Sequence, residues 1–391
     1  MFFNAADLFW LLLPLAAASG WFAARVDQRR RRERKRDLPA AYFKGLNFLL
    51  NEQPDKAIEV FVEVLEVGPD TVETHLALGS LFRRRGEVER AIRIHQNLIA
   101  RPVLDRQQRA QALLELGQDY LKAGLLDRAE SLFLELAEVR AQSEAALRFL
   151  VGIYQQEHEW EDAIGAARRL ARVSGQSQEG VIAQYYCELA QESLRQNDAR
   201  AAREQLKNAL ASDAMCVRAS ILLGQLEARE GHHRDAIKAW RRIEEQDPSY
   251  LGEVAAAMCE SFRANGDAAG MYAFFETALR RYGNPALVVI FAEIVERGEG
   301  TPAAEAFLVK SLREQPSLAG LYRLVELNAT HASAVQAADL DLLKALLKQL
   351  LANQSIYVCQ HCGFRGRSLH WQCPSCSRWN TIKPRHEAKV A

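Results

Sequence analysis

The chain has 391 residues and equal numbers of basic and acidic groups, 50 of each, so its formal net charge is zero. Hydrophobic residues make up 49% of the chain and aromatic residues only 8%, and Ala, Leu, Arg, Glu and Gln are abundant, which favours helix over sheet. Seven cysteines, an odd number with four grouped in two Cys-x-x-Cys pairs, argue against a secreted disulfide framework and favour a reducing cytosol.

The zero net charge conceals a strong segregation along the chain. Residues 25–36 carry a net charge of +6 and residues 355–391 one of +5, whereas residues 37–354 sum to −10. An acidic central body therefore lies between two basic ends. Because such a body repels phosphates, the charge pattern argues against nucleic-acid binding.

Residues 1–24 contain an uncharged apolar run at positions 8–24, which we expect to be a single transmembrane anchor. Its seventeen residues reach the lower limit of about 17 for a membrane helix. Trp10 and Trp21 stand near its two ends, where interfacial aromatic residues belong. A cleaved signal peptide would carry its positive charges before the run, whereas the basic segment 25–36 follows it. The positive-inside rule then places the bulk of the chain on the cytoplasmic side, and a buried core helix is the alternative.

Residues 37–353 repeat with a period near 34. A small residue that opens the second helix of a helical pair recurs at eight positions, and five of the seven gaps are 34 residues, the other two being 38 and 39. These positions are Ala57, Ala91, Ala129, Ala163, Ala202, Ala236, Gly270 and Ala304. Another small residue often stands twelve positions earlier, as at Gly79, Gly117 and Gly224. The pattern resembles the tetratricopeptide repeat, so we expect an all-α superhelical solenoid of about eight or nine repeats.

A solenoid of this kind offers a concave face that binds peptide segments or partner proteins. Candidate facing residues, which also fit ordinary packing between helices, are Tyr42, Leu46, Leu76, Arg83, Leu114, Gln118 and Leu121.

No GxGxxG, P-loop, HExxH or nucleophile-elbow motif stands out, so we expect no catalytic residues. The cysteines of the array, which we interpret as single buried inert thiols, are Cys187, Cys216 and Cys259. We interpret His232 and His233 as a solvated turn.

Residues 355–384 hold the metal-binding pattern of the chain. Cys359, Cys362, Cys373 and Cys376 form two Cys-x-x-Cys pairs with ten residues between them. Two such pairs aim four thiolates at one tetrahedral ion. Four sulfur ligands close the coordination sphere, so we expect a structural metal rather than a catalytic one. Zinc and iron both accept this ligand set, and the spacing leaves the choice between them open.

The segment around these cysteines resembles rubredoxin and zinc-ribbon domains. A domain of about 30 residues cannot stabilise itself by apolar burial, so the metal must supply folding free energy. Its aromatic residues, too many for so small a surface, are Tyr357, Phe364, Trp371 and Trp379. We expect some of them to pack against the last helical repeat. Two alternatives remain: a redox role for the metal, and nucleic-acid binding by interleaved tryptophans and basic residues such as Arg365 and Arg367.

Five segments follow one another along the chain: the anchor, the basic segment (25–36), the repeat array (37–353), the four-cysteine domain (355–384) and a short tail (385–391). This order resembles that of the lipopolysaccharide assembly protein B family of Gram-negative bacteria. The likeness covers essentially the full chain. The segments that carry it are NFLL from Asn47, LGSLFRRRGEVERAIRIHQ from Leu78, YCELA from Tyr186 and WQCPSCSRWNTIKP from Trp371.

The resemblance implies a non-enzymatic adaptor and scaffold of the cell inner membrane, and a homo-oligomer is compatible with it. Its partners would be the membrane AAA protease (FtsH), the lipid A pathway deacetylase (LpxC) as the client that this protease degrades, and other lipopolysaccharide synthesis and transport proteins. It further implies that the four cysteines bind one ion, either iron in a rubredoxin-type site or zinc.

Overall fold

The computed structural model describes residues 72–100, 104–139, 142–329 and 334–384. Before residue 72 it describes only isolated positions, namely Trp21, Arg25, Lys44, Gly45, Asn47, Phe48, Lys56 and Val60. Apart from these positions, the expected anchor (1–24), the basic segment (25–36) and the first repeat lie outside the described residues, as does the tail (385–391). These assignments stay predictions. None of the described helices is both long enough and apolar enough to cross a bilayer.

The chain divides into two units, residues 1–153 and 154–391. The first unit contains helices α1 (Val72–Arg84), α2 (Val88–Ile99), α3 (Arg106–Lys122), α4 (Leu126–Ala137) and the larger part of α5 (Ser143–Glu157). Asp105 caps α3 by accepting a hydrogen bond from the Gln108 N–H at 2.7 Å, and the Gln108 side chain accepts one from the Asp105 N–H in return. This capping box fixes where the helix begins.

The second unit continues the helical series. It contains α6 (Trp160–Ser174), α7 (Glu179–Arg195), α8 (Ala199–Ser212), α9 (Val217–Arg229), α10 (His233–Arg241), α11 (Ile243–Gln246), a 3₁₀ turn (Pro248–Tyr250), α12 (Leu251–Ala264), α13 (Ala268–Tyr282), α14 (Pro285–Glu299), α15 (Thr301–Glu314), α16 (Leu318–Ala329) and α17 (Ala334–Asn353). Its largest apolar cluster includes Trp240, Phe275 and Phe291 from α10, α13 and α14.

The repeat predicted from the small residues is confirmed by their burial. The alanines predicted to open the second helices, each of which has no exposed surface, are Ala91, Ala129, Ala163, Ala202, Ala236 and Ala304. The paired glycines lie against large side chains of the second helix, because a Cβ atom at Gly117 would overlap the ring of Phe133 and one at Gly224 the indole of Trp240. Small residues therefore allow the two helices of a repeat to approach closely.

The turns between paired helices show why glycine or asparagine stands there. Gly86 follows α1 with φ 83°, and Asn197 holds the corresponding position after α7 with φ 60°. Both lie in the left-handed region that glycine adopts freely and asparagine tolerates. Asp198 then caps α8 by accepting a hydrogen bond from the Ala201 N–H at 2.9 Å. One turn thus ends the first helix and starts the second.

The C-terminal segment is a small three-stranded antiparallel sheet, which we call the ribbon (residues 355–384). Its strands are β1 (Tyr357–Cys359), β2 (Arg365–Gly366) and β3 (Ile382–Pro384), in the order β2–β1–β3. Val358 pairs with Arg365 on one side and with Lys383 on the other. An isolated bridge joins Gln372 to Trp379. The sheet therefore connects the two cysteine-bearing turns.

Gly224→Ala tests the close approach of helices within a repeat. The added Cβ overlaps Trp240, whose indole Nε1–H is fixed by a 3.2 Å hydrogen bond to the Ile221 carbonyl oxygen. We expect a loss of about 1–3 kcal/mol from overpacking, read as a lower midpoint of urea unfolding. The matched control is Gly165→Ala on α6, where a Cβ atom meets nothing within 4 Å. That change should gain about 0.5–1 kcal/mol, and an equal loss in both variants would contradict the packing account.

Candidate metal centre and its docking surface

Two tight turns bring the four predicted cysteine ligands together. In the first turn the Gly363 N–H donates to the Cys359 carbonyl oxygen at 3.0 Å, and Gly363 has φ 76°. In the second turn the Ser377 N–H donates to the Cys373 carbonyl oxygen at 2.8 Å. The Sγ atoms of the four cysteines all lie within 4.8 Å of one another. The geometry is that of a Cys₄ cluster.

The sulfur separations fit a single tetrahedral ion. Cys359 Sγ and Cys376 Sγ are 3.8 Å apart, and Cys362 Sγ and Cys373 Sγ are 3.6 Å apart. A tetrahedron with metal–sulfur bonds of about 2.3 Å has edges of about 3.8 Å. Among the described residues this cluster includes no histidine, and His370 instead lies with Nε2 3.0 Å from the Ser368 Oγ. The four thiolates thus suit one zinc or iron ion and leave no ligand position open.

The ribbon backbone also prepares its first thiol for a metal. Burial opposes ionisation of Cys359, but its contact with the Thr381 hydroxyl and the hydrogen bonds from the N–H groups of Cys362 and His361 outweigh it and lower the pKa of that thiol to about 5. The thiolate is the form that binds metal. The lowered pKa of Cys359 thus favours the form of this side chain that binds a metal ion.

The tryptophans of the ribbon dock on repeats of the second unit that come well before the last one, so the expectation that its aromatic residues pack against the last repeat is wrong. Trp379 donates an indole hydrogen bond to the Gln155 side-chain oxygen at 2.9 Å. Its ring lies edge-on to Trp160 and Tyr185, with centroid distances of 6.3 and 5.9 Å. These partners stand at the end of α5, on α6 and on α7. Side chains more than 190 residues earlier in the chain therefore hold the ribbon.

The second tryptophan of the ribbon docks on the 3₁₀ turn before α12. Trp371 stacks on Tyr250 with ring centroids 5.5 Å apart and an interplanar angle of 19°. The Tyr250 hydroxyl donates to the Ile382 carbonyl oxygen at 2.7 Å. Tyr250 is fully buried, and burial raises its pKa, so the hydroxyl keeps its proton and stays a donor. Tyr250 thus contacts the ribbon both by ring stacking and by a hydrogen bond.

Two polar contacts complete the docking surface. Lys383 Nζ lies 2.6 Å from the Asp247 Oδ2, and the Tyr357 hydroxyl donates to the Glu253 Oε1 at 2.8 Å. Burial opposes ionisation of Asp247, but Lys383 and the Ser249 hydrogen bonds lower the pKa of its carboxyl. Burial raises the pKa of Glu253 even though Tyr357 donates to it. The basic ribbon is thus fitted to acidic groups of the array.

Arg218 at the start of α9 connects both tryptophans to the array. It is 2% exposed, and its Nη2 donates to Glu188 at 2.8 Å and to Gln191 at 2.6 Å. Its guanidinium carbon lies 5.9 Å from the ring centroid of Trp371 and 5.8 Å from that of Trp379. Sequence reasoning missed Arg218 because nothing in the repeat pattern distinguishes it, and the surplus of aromatic residues in the ribbon was the available signal.

The candidate facing residues of the first unit serve mainly to join repeats. Arg83 Nη2 lies 2.6 Å from the Glu115 Oε2 and Arg83 Nη1 lies 2.7 Å from the Asp119 Oδ1, and Arg83 also donates to Gln118 at 3.3 Å. Leu114 is buried. Leu76 and Leu121 are half-buried, and Tyr42 and Leu46 lie outside the described residues. Arg83 and Gln118 are therefore inter-repeat contacts rather than free binding groups.

The cysteines of the array are buried, as expected, but two of them are neighbours rather than single. Cys187 Sγ on α7 and Cys216 Sγ before α9 lie 3.9 Å apart. Burial raises the pKa of Cys259 to about 12, so this thiol stays protonated. His232 contacts Glu227 at 3.0 Å, and His233 contacts the Ser261 hydroxyl at 3.2 Å, so neither is merely solvated.

Comparison with known families agrees with both parts of the molecule. Models of the tetratricopeptide repeat match residues 74–110 and 187–250, and a model of the rubredoxin metal binding domain matches residues 357–384. The molecule is therefore a mostly helical tetratricopeptide-repeat solenoid that ends in a zinc-ribbon domain with a four-cysteine site for one metal ion.

Two curated relatives define the family. Lipopolysaccharide assembly protein B of Escherichia coli (strain K12) is 36% identical over 380 residues, which cover 97% of this chain and 98% of that protein. The protein of the same name from Haemophilus influenzae is 34% identical over 388 residues, with the same coverage of 97% and 98%. The chain belongs to the lipopolysaccharide assembly protein B family.

Solved structures align only loosely, for example a tetratricopeptide repeat protein from Parabacteroides merdae with 16% identity, a TM-score of 0.32 and coverage of 66% of this chain and 99% of that one.

Removing two metal ligands should unfold the ribbon and leave the array folded. In the variant Cys359→Ser, Cys362→Ser, we expect loss of about one equivalent of bound metal, because two thiolates cannot complete the tetrahedron. Metal analysis measures the loss of the ion, and a red shift of tryptophan fluorescence reports the unfolding of the ribbon. The far-UV circular dichroism spectrum should keep most of its helical signal, because the array stays folded. The control Cys259→Ala removes a thiol outside the cluster and should retain the metal. A full metal equivalent in the double variant would exclude the four-cysteine site.

Trp379→Ala should release the ribbon without emptying its metal site. The change removes the hydrogen bond to Gln155 and the ring contacts with Trp160 and Tyr185. We expect docking to weaken by about 2 kcal/mol, roughly 30-fold. Hydrogen exchange of residues 355–384 should accelerate while metal content stays constant. The neighbouring exposed residue supplies the control Arg378→Ala, and equal acceleration in both variants would count against the docking role.

Proposed function

We propose that this chain is a non-enzymatic inner-membrane adaptor that acts in lipopolysaccharide assembly. The name of its relatives, lipopolysaccharide assembly protein B, supports a role in this process of assembly. The observation that carries the adaptor role is the docked ribbon. Its Cys₄ cluster has no open coordination position, and its tryptophans are used in contacts with the array. A metal used in this way stabilises a binding surface rather than performing a reaction.

Each part of the ribbon has a separate task in this adaptor. A bound metal ion supplies folding free energy that a domain of this size cannot obtain from burial. Trp371 and Trp379 hold the folded ribbon against the repeats. Lys383 and Tyr357 set its orientation through Asp247 and Glu253. The outcome is one surface composed of repeat helices and ribbon, which neither part would present alone.

A cleft between ribbon and repeats is our candidate for client contact. It has a volume of about 690 Å³ and lies between the starts of α12, α14 and α16 on one side and the ribbon on the other. Leu318 and Leu351 give it an apolar floor, and Asn284, Glu253 and Arg365 give it polar groups. Clefts of about 300–1,000 Å³ with a few polar groups suit side chains of a bound segment.

Membrane tethering makes weak client contacts sufficient. We propose that residues 1–24 anchor the chain beside the membrane AAA protease (FtsH) and that the array delivers the deacetylase of the lipid A pathway (LpxC) to it. We further propose contacts with other inner-membrane proteins of lipopolysaccharide synthesis and transport. Two proteins held in one membrane meet at a high effective concentration, so a modest affinity is enough for delivery.

Nucleic-acid binding, the alternative suggested by the basic and aromatic residues of the ribbon, loses support from the structure. The rings needed for base stacking contact the array, since Trp371 stacks on Tyr250 and Trp379 lies against Trp160 and Tyr185. Lys383 is paired with Asp247. Single-strand binding needs such rings and cations to be available to bases and phosphates.

Crosslinked co-purification from membranes tests the adaptor role. We expect the intact chain to recover the protease and the deacetylase. A chain lacking residues 1–26 should lose both because it lacks the tether, and Cys359→Ser, Cys362→Ser should lose them because the combined surface is gone. Cys259→Ala is the matched control and should recover both partners. Recovery of neither protein by the intact chain would overturn the proposal.

A further inference from the structure

A second candidate site lies away from the ribbon, in a groove between the second helices of two successive repeats. The groove has a volume of about 410 Å³ and opens between α8 and α10, with Leu223 of α9 in its lining. Four cations line it: Arg203 and Lys207 from α8, and Lys238 and Arg242 from α10 and its C-cap. Neither the repeat pattern nor the ribbon accounts for this convergence.

The acidic residues of the groove do not neutralise these cations. Glu227 is engaged by Arg203, with Nε–Oε1 at 2.6 Å, and by His232 at 3.0 Å. Lys207, Lys238 and Arg242 have no side-chain hydrogen bond or ion pair within the part of the chain that the structure describes, and all three are exposed. Asp235 is the remaining acid in the lining. Within the lining, three cations without an ion pair therefore face one acid, and Glu230 lies close enough to act on Arg203.

The helix dipole does not explain all of these positions. Cations are favoured in the last turn of a helix, where the carbonyl groups are unpaired. Arg242 fits that description as the C-cap of α10, but Lys207 lies in the middle of α8, which runs from Ala199 to Ser212. Lys207 and Arg242 nevertheless line the same groove. The groove itself is thus the feature that the cations share.

The basic surface extends to the preceding repeat. Arg168 and Arg172 on α6 line another cavity, of about 670 Å³, together with Glu179 of α7 and with Ala211 and Ser212 from the end of α8. Arg168 also donates to the Tyr186 hydroxyl at 2.7 Å. Three successive second helices, α6, α8 and α10, therefore carry exposed cations. A strip of this kind suits an extended polyanionic surface better than a single small ion, because each added cation contributes a separate contact.

We propose that the groove between α8 and α10 binds the phosphate group of an anionic lipid headgroup, so that this strip lies against the cytoplasmic surface of the membrane. Lysine and arginine are the usual partners of phosphate oxygens, Lys as a point charge and Arg through paired N–H groups. The choice of a lipid over free phosphate as the ligand rests on the membrane anchor proposed above. The binding of an anion in the groove rests only on the cations that line it. The consequence is a fixed orientation of the array on the membrane.

Hydrogen exchange of the full chain in lipid nanodiscs tests the proposal. Discs of phosphatidylcholine alone are compared with discs containing about 30% phosphatidylglycerol, a headgroup mixture that creates a negative surface. We expect roughly tenfold slower exchange of residues 199–212 and 233–242 in the anionic discs, because a ligand bound to the folded state opposes local opening. This protection should disappear at about 0.5 M salt, where screening is strong.

Charge reversal provides a matched pair of variants. Lys207→Glu, Lys238→Glu, Arg242→Glu should abolish the protection. Arg229→Glu, Arg263→Glu, Arg297→Glu makes the same change in net charge at exposed residues of α9, α12 and α14, and it should retain the protection. Equal loss in both variants would mean that net charge alone is sensed, which would overturn the groove as a site.

Two further outcomes would also overturn the proposal. Equal protection by millimolar inorganic phosphate in neutral discs would make the ligand free phosphate, and absence of protection in anionic discs would exclude the site altogether. Insertion into the discs, scored by size-exclusion chromatography, tests the proposed anchor separately. If the chain does not insert, the anchor is wrong, and the same exchange comparison with added anionic vesicles still decides the groove. No protease is present, so the result does not depend on the proposed partners.

Discussion

A guanidinium removed from water must be paired, because an isolated buried charge is strongly destabilising. Arg218 meets this requirement with groups from both parts of the second unit: Glu188 and Gln191 on α7 accept its hydrogen bonds, and the indoles of Trp371 and Trp379 lie near its guanidinium. The array therefore contributes the charged side chain, and the tryptophan rings of the ribbon shield much of it from water. Loss of the ribbon would leave Arg218 with its acceptors but without the rings that now exclude water from it.

The metal site controls these rings through the chain itself. Trp371 stands two residues before Cys373, and Trp379 stands three residues after Cys376, so both flank the second cysteine-bearing turn. Ordering of that turn around an ion fixes where the two indoles point. A structural metal would thus determine whether Gln155, Tyr185 and Tyr250 contact the ribbon. The four cysteines therefore stabilise the docking surface through the ion that they bind.

The parts that sequence reasoning could predict are those with a local or periodic cause. The pairing of Gly224 with Trp240 follows from a small residue and a large one at fixed positions in each repeat, and the cysteine ligands follow from spacing within two turns. The docking of Trp379 on Gln155 has no such cause, because it depends on how many repeats intervene and how each rotates. The same limit explains Cys187 and Cys216, which are single in sequence but adjacent across successive repeats.

Segment charges are a poor guide to surfaces in this molecule. The acidic total of residues 37–354 argued against binding of phosphates, yet part of that acidity is used internally: Asp247 pairs with Lys383 of the ribbon, and Glu227 pairs with Arg203. The pair with Lys383 compensates one negative charge of this segment with a cation from outside it, whereas the pair of Glu227 with Arg203 is balanced within the segment. Screening over about 10 Å makes near charges dominate distant ones. Lys207, Lys238 and Arg242 can therefore form a positive groove on a chain whose central body is acidic overall.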